Sequence, residues 1–373
     1  MRLIPIECVR ENTYLAKTIY DDNGFPLLKE GVLLTETLLK KLESIYIKYI
    51  YIVDKYSSEE IEDIIKPELK QKSILAIKNS FKNIEQLYNS ASNNQDAFAN
   101  NDDLLKQQDN YIMQIQEVAE ELLDNILCND KLLVNLVDIK SMDNYTYQHC
   151  INVAILSVVI GLGMKLLRSE LLNLTVGAIL HDIGKIFISK SILLKNGALT
   201  DEEYCAMKMH PEKGYSYLSN SSCISASAKM VILQHHERYD GLGYPNRLKE
   251  DKINKLARIV SVADVYDSLT SDRPYRKALS PNYAFEYIIG NVYSMFDYNV
   301  VQTFSKVIVP YPEGTLVRLS NGDIAVVEDT FPEYPLRPTI RIIRSNEKEK
   351  EGSLINLANN LSLVISNIEY TVY

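Results

Sequence analysis

Ser169 to Ile186 reads SELLNLTVGAILHDIGKI, an apolar helix that closes on two ionisable side chains, His181 and Asp182. Ser169 is predicted as its N-cap and Gly184 as its C-terminal stop, with Lys185 just beyond. A helix this apolar belongs in a core, and similar segments flank it on both sides. Ile151 to Leu167 is the longest apolar run. It carries Asn152, Ser157 and Lys165 and falls short of the ~20 residues that a bilayer needs, so it predicts a buried core helix. Downstream, Thr200 and Glu203 form a capping box that opens a helix running toward His210, where Pro211 is expected to end it. Ser225 to His236 has helical spacing and finishes on His235-His236. Asp240 to Pro245 (DGLGYP) is then a loop, and ARIVSVADVYDSL, carrying Asp264, is the next helix.

The placement of histidine carries the chemistry. All five, His149, His181, His210, His235 and His236, lie in this helical region, at intervals of ~25 to 32 residues, about one helix and a connection. The side chains can therefore converge. Burying five imidazoles and two carboxylates, Asp182 and Asp264, on apolar helices costs several kcal/mol per unpaired charge, and coordination to metal removes that penalty. Seven donors exceed one tetrahedral site, and no cysteine lies nearby. Two metals sharing a carboxylate fit the count, and nitrogen and oxygen donors favour Fe or Mn, with Zn allowed. Such a pair suits in-line attack on phosphorus. Lys185 is expected close to the metals, and Arg273 and Arg276 in SDRPYRKAL supply further cations.

The rest of the chain frames this unit. The 373 residues, 46 % hydrophobic and 24 % charged, indicate a folded protein of two or three domains. A net charge of −9 argues against a nucleic-acid polymer or an anionic membrane as partner. Five scattered cysteines read as reduced thiols in a cytoplasmic protein, and the N-terminus lacks a signal peptide. Residues 1–65 are expected to form a small α/β domain. Strand Tyr14 to Tyr20, a turn at Asp21 to Gly24, strand Phe25 to Leu28, helix Thr35 to Leu42 and strand Tyr46 to Val53 follow in order. Residues 66–130 predict two helices, Leu69 to Tyr88 and Leu104 to Leu127, around a polar loop, Ser90 to Asp103. Residues 131–308 are the metal-binding bundle. Residues 309–373 predict a small β-rich domain, with a type I′ hairpin at Asn321-Gly322 and strands at Thr339 to Ile343 and Leu361 to Ile365. The fold class is thus mainly α, a helical bundle with a small α/β segment before it and a small β-rich domain after it.

The stretches HDIGKI, MKMHP, HHERYDGLGYP and ADVYDSLTSDRPYR resemble the HD-GYP subfamily of the HD phosphohydrolases, over about 140 to 305. The resemblance implies an HD-type bundle that hydrolyses cyclic di-GMP to pGpG, GMP or both through a metal-bridging hydroxide. It implies one metal on His149, His181, Asp182 and Asp264, and a second on Asp182, His210, His235 and His236. Lys185 would touch the scissile phosphate, and Arg273, Arg276 and Tyr244 would bind substrate, with Asp143 against a guanine. Some members hold a third metal through a Glu four residues before the first His. Tyr145 stands there in this chain, which implies a dinuclear centre. GGDEF-type proteins at the Gly243-Tyr244-Pro245 loop, and a second copy of the chain, are the implied protein partners. Two other readings stay open: a non-enzymatic cyclic-dinucleotide sensor or adaptor, and an HD hydrolase of another cyclic dinucleotide.

Overall fold

In the computed structural model, residues 1–10, 13–21, 24–45, 47, 49–54, 64–91, 102–129, 145–195, 197–271 and 278–370 are described. The N-terminal segment is built from short runs of β-branched and aromatic residues, which suit a pleated surface. They form β1 (Arg2–Pro5), β2 (Thr13–Leu15), β3 (Ile19–Tyr20), β4 (Pro26–Leu28) and β5 (Leu33–Leu34), then helix α1 (Glu36–Ser44) and β6 (Tyr49–Val53). One antiparallel sheet has the order β1-β6-β2-β5, and β3 pairs with β4 as a separate ribbon. The single strand expected over Tyr14 to Tyr20 is therefore two. The chain leaves the larger sheet after Leu15 and changes partner, yet Leu15 and Ile19 bury in one core with Ile4, Leu34, Ile50 and Ile52. Asp22 and Asn23 of the expected turn lie outside the described residues; the Asp21 carboxylate and carbonyl accept from Phe25 and Gly24 across it. Thr35 caps α1 by accepting from the Leu38 amide.

Among the described residues, helices follow with no further strand before the C-terminal segment. They are α2 (Pro67–Ala91), α3 (Asp102–Leu127), α4 (Tyr145–Gly163), α5 (Arg168–Leu180), α6 (Lys190–Leu193), α7 (Asp201–Met207), α8 (His210–Leu218), α9 (Ala226–Gln234), α10 (Lys255–Thr270), α11 (Pro281–Gly290) and α12 (Tyr298–Val307). Helix α4 is apolar on every side and is the centre of the bundle, packed by α2, α3, α5, α10 and α12. Among the described residues it alone is long and apolar enough to cross a membrane by composition; 78 % of that window, Thr146–Gly163, is buried against the other helices.

Two helix boundaries differ from expectation. Leu167, not Ser169, occupies the N-cap of α5, because the Glu170 carboxylate reaches back to accept from the Leu167 amide at 2.9 Å. Pro211 opens α8 instead of closing α7. Proline has no N–H to donate, and the first turn of a helix needs none.

The C-terminal segment is a five-stranded antiparallel sheet of β7 (Leu316–Leu319), β8 (Ile324–Asp329), β9 (Thr339–Arg344), β10 (Leu354–Asn356) and β11 (Ile365–Glu369), in the order β10-β9-β8-β7-β11. The hairpin at Asn321-Gly322 forms, but its turn is not type I′. Among its residues only Gly322 has positive φ (90°), and the Leu319 carbonyl accepts from the Gly322 amide, which is a type I turn followed by a left-handed glycine. The last strand begins at Ile365, where the predicted one ends, because β11 takes its register from β7. The chain ends meet: the Arg2 guanidinium holds Asp54 through two nitrogens, at 2.8 and 2.7 Å, and donates to the Tyr370 carbonyl.

Phe304 on α12 is fully buried, stacked on Phe285 and edge-on to Tyr266, with ring centroids 5.5 and 5.1 Å away. Phe304→Ala is expected to destabilise the protein by about 3–5 kcal/mol in denaturant unfolding. Leu361→Ala, at a position 75 % exposed, should change stability by less than about 0.5 kcal/mol.

Candidate metal centre

Helix ends deliver most of the site. His181 is the C-cap of α5, and Asp182 starts the 3-10 turn Ile183–Phe187. His210 is the first residue of α8, His235 caps α9, and His236 follows it. His149 and Asp264 come from within the buried helices α4 and α10. Gly184 is what lets the pieces close. It is not a helix stop but a contact point, because a Cβ there would collide with the His210 carbonyl and the Gly214 amide.

The imidazole tautomers follow from their backbone partners. Nδ1 of His181 lies 2.7 Å from the Ala178 carbonyl, Nδ1 of His210 2.9 Å from Met207, and Nδ1 of His235 3.0 Å from Ile232. A carbonyl only accepts, so each Nδ1 carries the proton and each Nε2 presents a lone pair inward. Nε2 of His210 and Nε2 of His235 then face each other at 3.2 Å, and Nε2 of His210 lies 3.3 Å from Asp182 Oδ1. Acceptors face acceptors. His181 Nε2 and Asp182 Oδ1 are buried and make no hydrogen bond. A cation satisfies such a set.

Two groups of donors emerge within ligand range. Asp182, His210, His235 and His236 form one; His149, His181 and Asp264 form the other. The Asp182 carboxylate joins them, since its Oδ2 lies 3.4 Å from His181 Nε2 and 3.9 Å from His149 Nε2. Asp264 Oδ1 is 3.1 Å from His149 Nε2, and its Oδ2 is 3.9 Å from His236 Nδ1. This donor set fits a divalent metal centre of nitrogen and oxygen ligands.

Burial shapes the protonation states. It holds His210 down to about 3 and His236 to about 4, and holds His235 well below its ordinary value, with neighbouring imidazoles reinforcing the effect on His210 and His235. These three are neutral ligands at ordinary pH. Burial also opposes the charge on Asp182, but Lys185 outweighs it and keeps the carboxylate ionised. Burial pushes His149 down as well, yet the hydrogen bonds with Asp264 and Asp267 win and raise it to about 9. A metal would displace that proton.

Lys185 donates to Asp182 Oδ2, with its side chain 29 % exposed at the rim of the site. The Tyr244 ring stacks on His236, centroids 4.8 Å apart. The structure thus brings together the expected His149, His181, Asp182, Lys185, His210, His235, His236, Tyr244 and Asp264. Asp143, Arg273 and Arg276 lie outside the described residues, as does the Tyr145 side chain.

Two supporting residues, Asp267 and Glu237, escaped the sequence reading. Asp267 accepts from His149 Nδ1 (2.7 Å) through one oxygen and from Asn152 Nδ2 (2.9 Å) through the other. The signal was present, since Asp264 and Asp267, like His149 and Asn152, are three residues apart and share a helix face. Glu237 is buried and accepts from the Asn246 and Leu248 amides at 2.7 and 3.0 Å, which folds the loop of Tyr244 back onto the histidines. Gly243 permits this close return, because a side chain there would strike the backbone of His236 to Arg238.

Residues 123–300 match the HD domain family, and residues 316–369 match the KOW domain associated with HD domain. The helical unit has the HD domain fold. Among curated proteins, a cyclic di-GMP phosphodiesterase of Pseudomonas aeruginosa is 35 % identical over 229 residues, 61 % of this chain and 55 % of that protein. A cyclic di-GMP phosphodiesterase response regulator of Xanthomonas campestris is 46 % identical over 136 residues, 36 % of each chain. A 3'3'-cGAMP-specific phosphodiesterase of Vibrio cholerae is 32 % identical over 178 residues, 48 % of this chain and 38 % of that one. The chain spans at most about half the length of these relatives. The C-terminal sheet, unremarked in the sequence beyond its strands, is the part that matches the KOW domain associated with HD domain.

Two outcomes test the HD domain site. Asp267→Asn should weaken metal retention about 10- to 100-fold in chelator competition, since it removes the carboxylate behind His149. In metal-free protein, acidification from pH 7 to 5 should lower the thermal midpoint. His210 and His236 stay neutral in the folded state while their unfolded counterparts protonate near 6.5, so unfolding takes up protons across that window. His149, raised to about 9, works in the opposite direction, because its unfolded counterpart also protonates near 6.5; one such group offsets only part of the loss from two, and its contribution disappears as pH rises through about 9. A midpoint that holds or rises on acidification contradicts the neutral assignment.

Proposed function

We propose that this chain is a metal-dependent phosphodiesterase that hydrolyses cyclic di-GMP to pGpG, GMP or both. The observation that carries this reading is the inward convergence of deprotonated imidazole nitrogens on the Asp182 carboxylate. His149, His181, Asp182 and Asp264 would hold one metal, and Asp182, His210, His235 and His236 a second, a dinuclear centre of Fe or Mn, with Zn as the other candidate. Bound there, divalent metal supplies Lewis acidity toward a phosphodiester and its attacking water.

The remaining work falls to side chains of this chain. Lys185 sits on the edge of the Asp182 carboxylate and is placed to transfer its ammonium onto a non-bridging phosphate oxygen, where charge builds as the ester bond breaks. Tyr244 covers His236 and presents an aromatic face to the substrate side of the loop. Arg273 and Arg276 are proposed to bind substrate phosphate, and Asp143 a guanine edge. The names of the Pseudomonas and Xanthomonas relatives support cyclic di-GMP as substrate.

The name of the Vibrio relative favours a second reading, hydrolysis of a hybrid cyclic dinucleotide at the same site. We further propose a cytoplasmic setting, supported by the free cysteines among the described residues, and homodimerisation. The loop around Leu242, whose side chain is 76 % exposed, is a contact for GGDEF-type partners.

Product analysis tests the reading directly. Anaerobically purified, metal-reconstituted protein should convert cyclic di-GMP to pGpG or GMP, and turn over cyclic GMP-AMP more slowly; the reverse preference selects the second reading. Asp182→Ala should lose metal and at least about tenfold in activity while the far-ultraviolet spectrum stays helical. Retained turnover in that variant would remove Asp182 from the centre.

A further inference from the structure

Lys208 lies outside every role assigned so far. It is the C-cap of α7, two residues before His210, and its ammonium is held over aromatic rings. Nζ stands 4.4 Å from the Tyr204 ring centroid and 5.4 Å from that of Tyr244, the ring that stacks on His236. The four groups make a continuous ladder out of the metal centre, from His236 to Tyr244 to Lys208 to Tyr204.

This cation differs in its pairing from the others near the site. Lys185 is bound to Asp182 and Lys195 to Glu203, whereas Lys208 has no carboxylate partner among the described residues. A lysine normally keeps its ammonium fully hydrated. Holding it against two ring faces removes part of that water and orders the stem, so an arriving anion meets a charge already positioned. In a chain of net charge −9, such a charge is a local departure from the overall field.

Resting on the reading of the substrate as a cyclic dinucleotide, we propose that Lys208, seated between Tyr204 and Tyr244, binds the second, non-reacting phosphate of that substrate. A cyclic dinucleotide carries two phosphodiester charges. The one undergoing hydrolysis belongs at the metal donors and Lys185, with the proposed Arg273 and Arg276; the other needs a further cation on the rim, and the ladder carries one in Lys208. Lys208 is itself partly exposed and Tyr204 beside it is half exposed, so a ligand can reach this edge of the site. The contact is made equally in ground and transition states, so it contributes to KM and not to kcat.

The test uses full-length protein with metal bound and two substrates, cyclic di-GMP and bis(p-nitrophenyl) phosphate, which has a single phosphate. Lys208→Gln should raise KM for cyclic di-GMP about tenfold with kcat nearly unchanged. It should leave the kinetics of the one-phosphate ester and the metal content as in wild type. The rise of KM with ionic strength should become shallower, because one phosphate contact is gone, and Lys208→Arg should restore most of the affinity. A Lys208→Gln variant indistinguishable from wild type on cyclic di-GMP, or one equally impaired on both substrates, overturns the subsite alone. Wild-type protein that cleaves the one-phosphate ester but does not bind cyclic di-GMP overturns the substrate reading and the subsite with it.

Discussion

Two imidazole lone pairs face each other beside an ionised carboxylate in the middle of this protein, and the rest of the structure is arranged around that arrangement. His210 and His235 present Nε2 atoms 3.2 Å apart because each has committed its Nδ1 proton to a backbone carbonyl three residues earlier. In an apolar interior this juxtaposition is unfavourable unless a cation lies between acceptors. The fold holds it in place through backbone geometry, and backbone geometry at helix ends is the stiffest anchor that the chain has.

That anchoring explains the architecture. Helices α5 and α9 deliver His181 and His235 at their C-termini, and the end of α7 fixes His210 at the start of α8; in each case a carbonyl in the last turn of a helix is free to fix the ring. Helices α4 and α10 deliver His149 and Asp264 from their interiors, and there the ring is fixed by side chains instead, Asp267 and Asn152. Packing brings these elements within range only because small residues stand at the closest crossings. Gly184 against the start of α8, and Gly243 against the His236 to Arg238 backbone, are positions where any side chain would hold the parts apart.

Charge is distributed with the same economy. The buried carboxylates stay ionised because cations offset their desolvation, Lys185 beside Asp182 and His149 beside Asp264, while His210, His235 and His236 stay neutral because burial disfavours their protonation, reinforced at His210 and His235 by neighbouring imidazoles. Anionic oxygen and neutral nitrogen are the donor forms a divalent metal binds. Outside this centre the rim carries ring faces and a cation, Tyr244, Tyr204 and Lys208, in an otherwise acidic molecule.

The sequence by itself determined the helical class, the burial of α4, the capping box at Thr200 and Glu203, and the identity of the convergent histidines. Each rests on local periodicity or on residue types that have no other low-energy use in an apolar helix. Tertiary structure decided what depends on a partner distant in the chain. Glu170 displaced Ser169 as the feature that starts α5, and Pro211 opened a helix where an isolated reading ends one. Strand Tyr14 to Tyr20 divided between two sheets, and β11 took its register from β7. Asp267 acquired a role only through His149, 118 residues earlier. Periodicity reports which face of an element is apolar; it carries no information about which distant group will sit on that face, and that is set by how the helices pack.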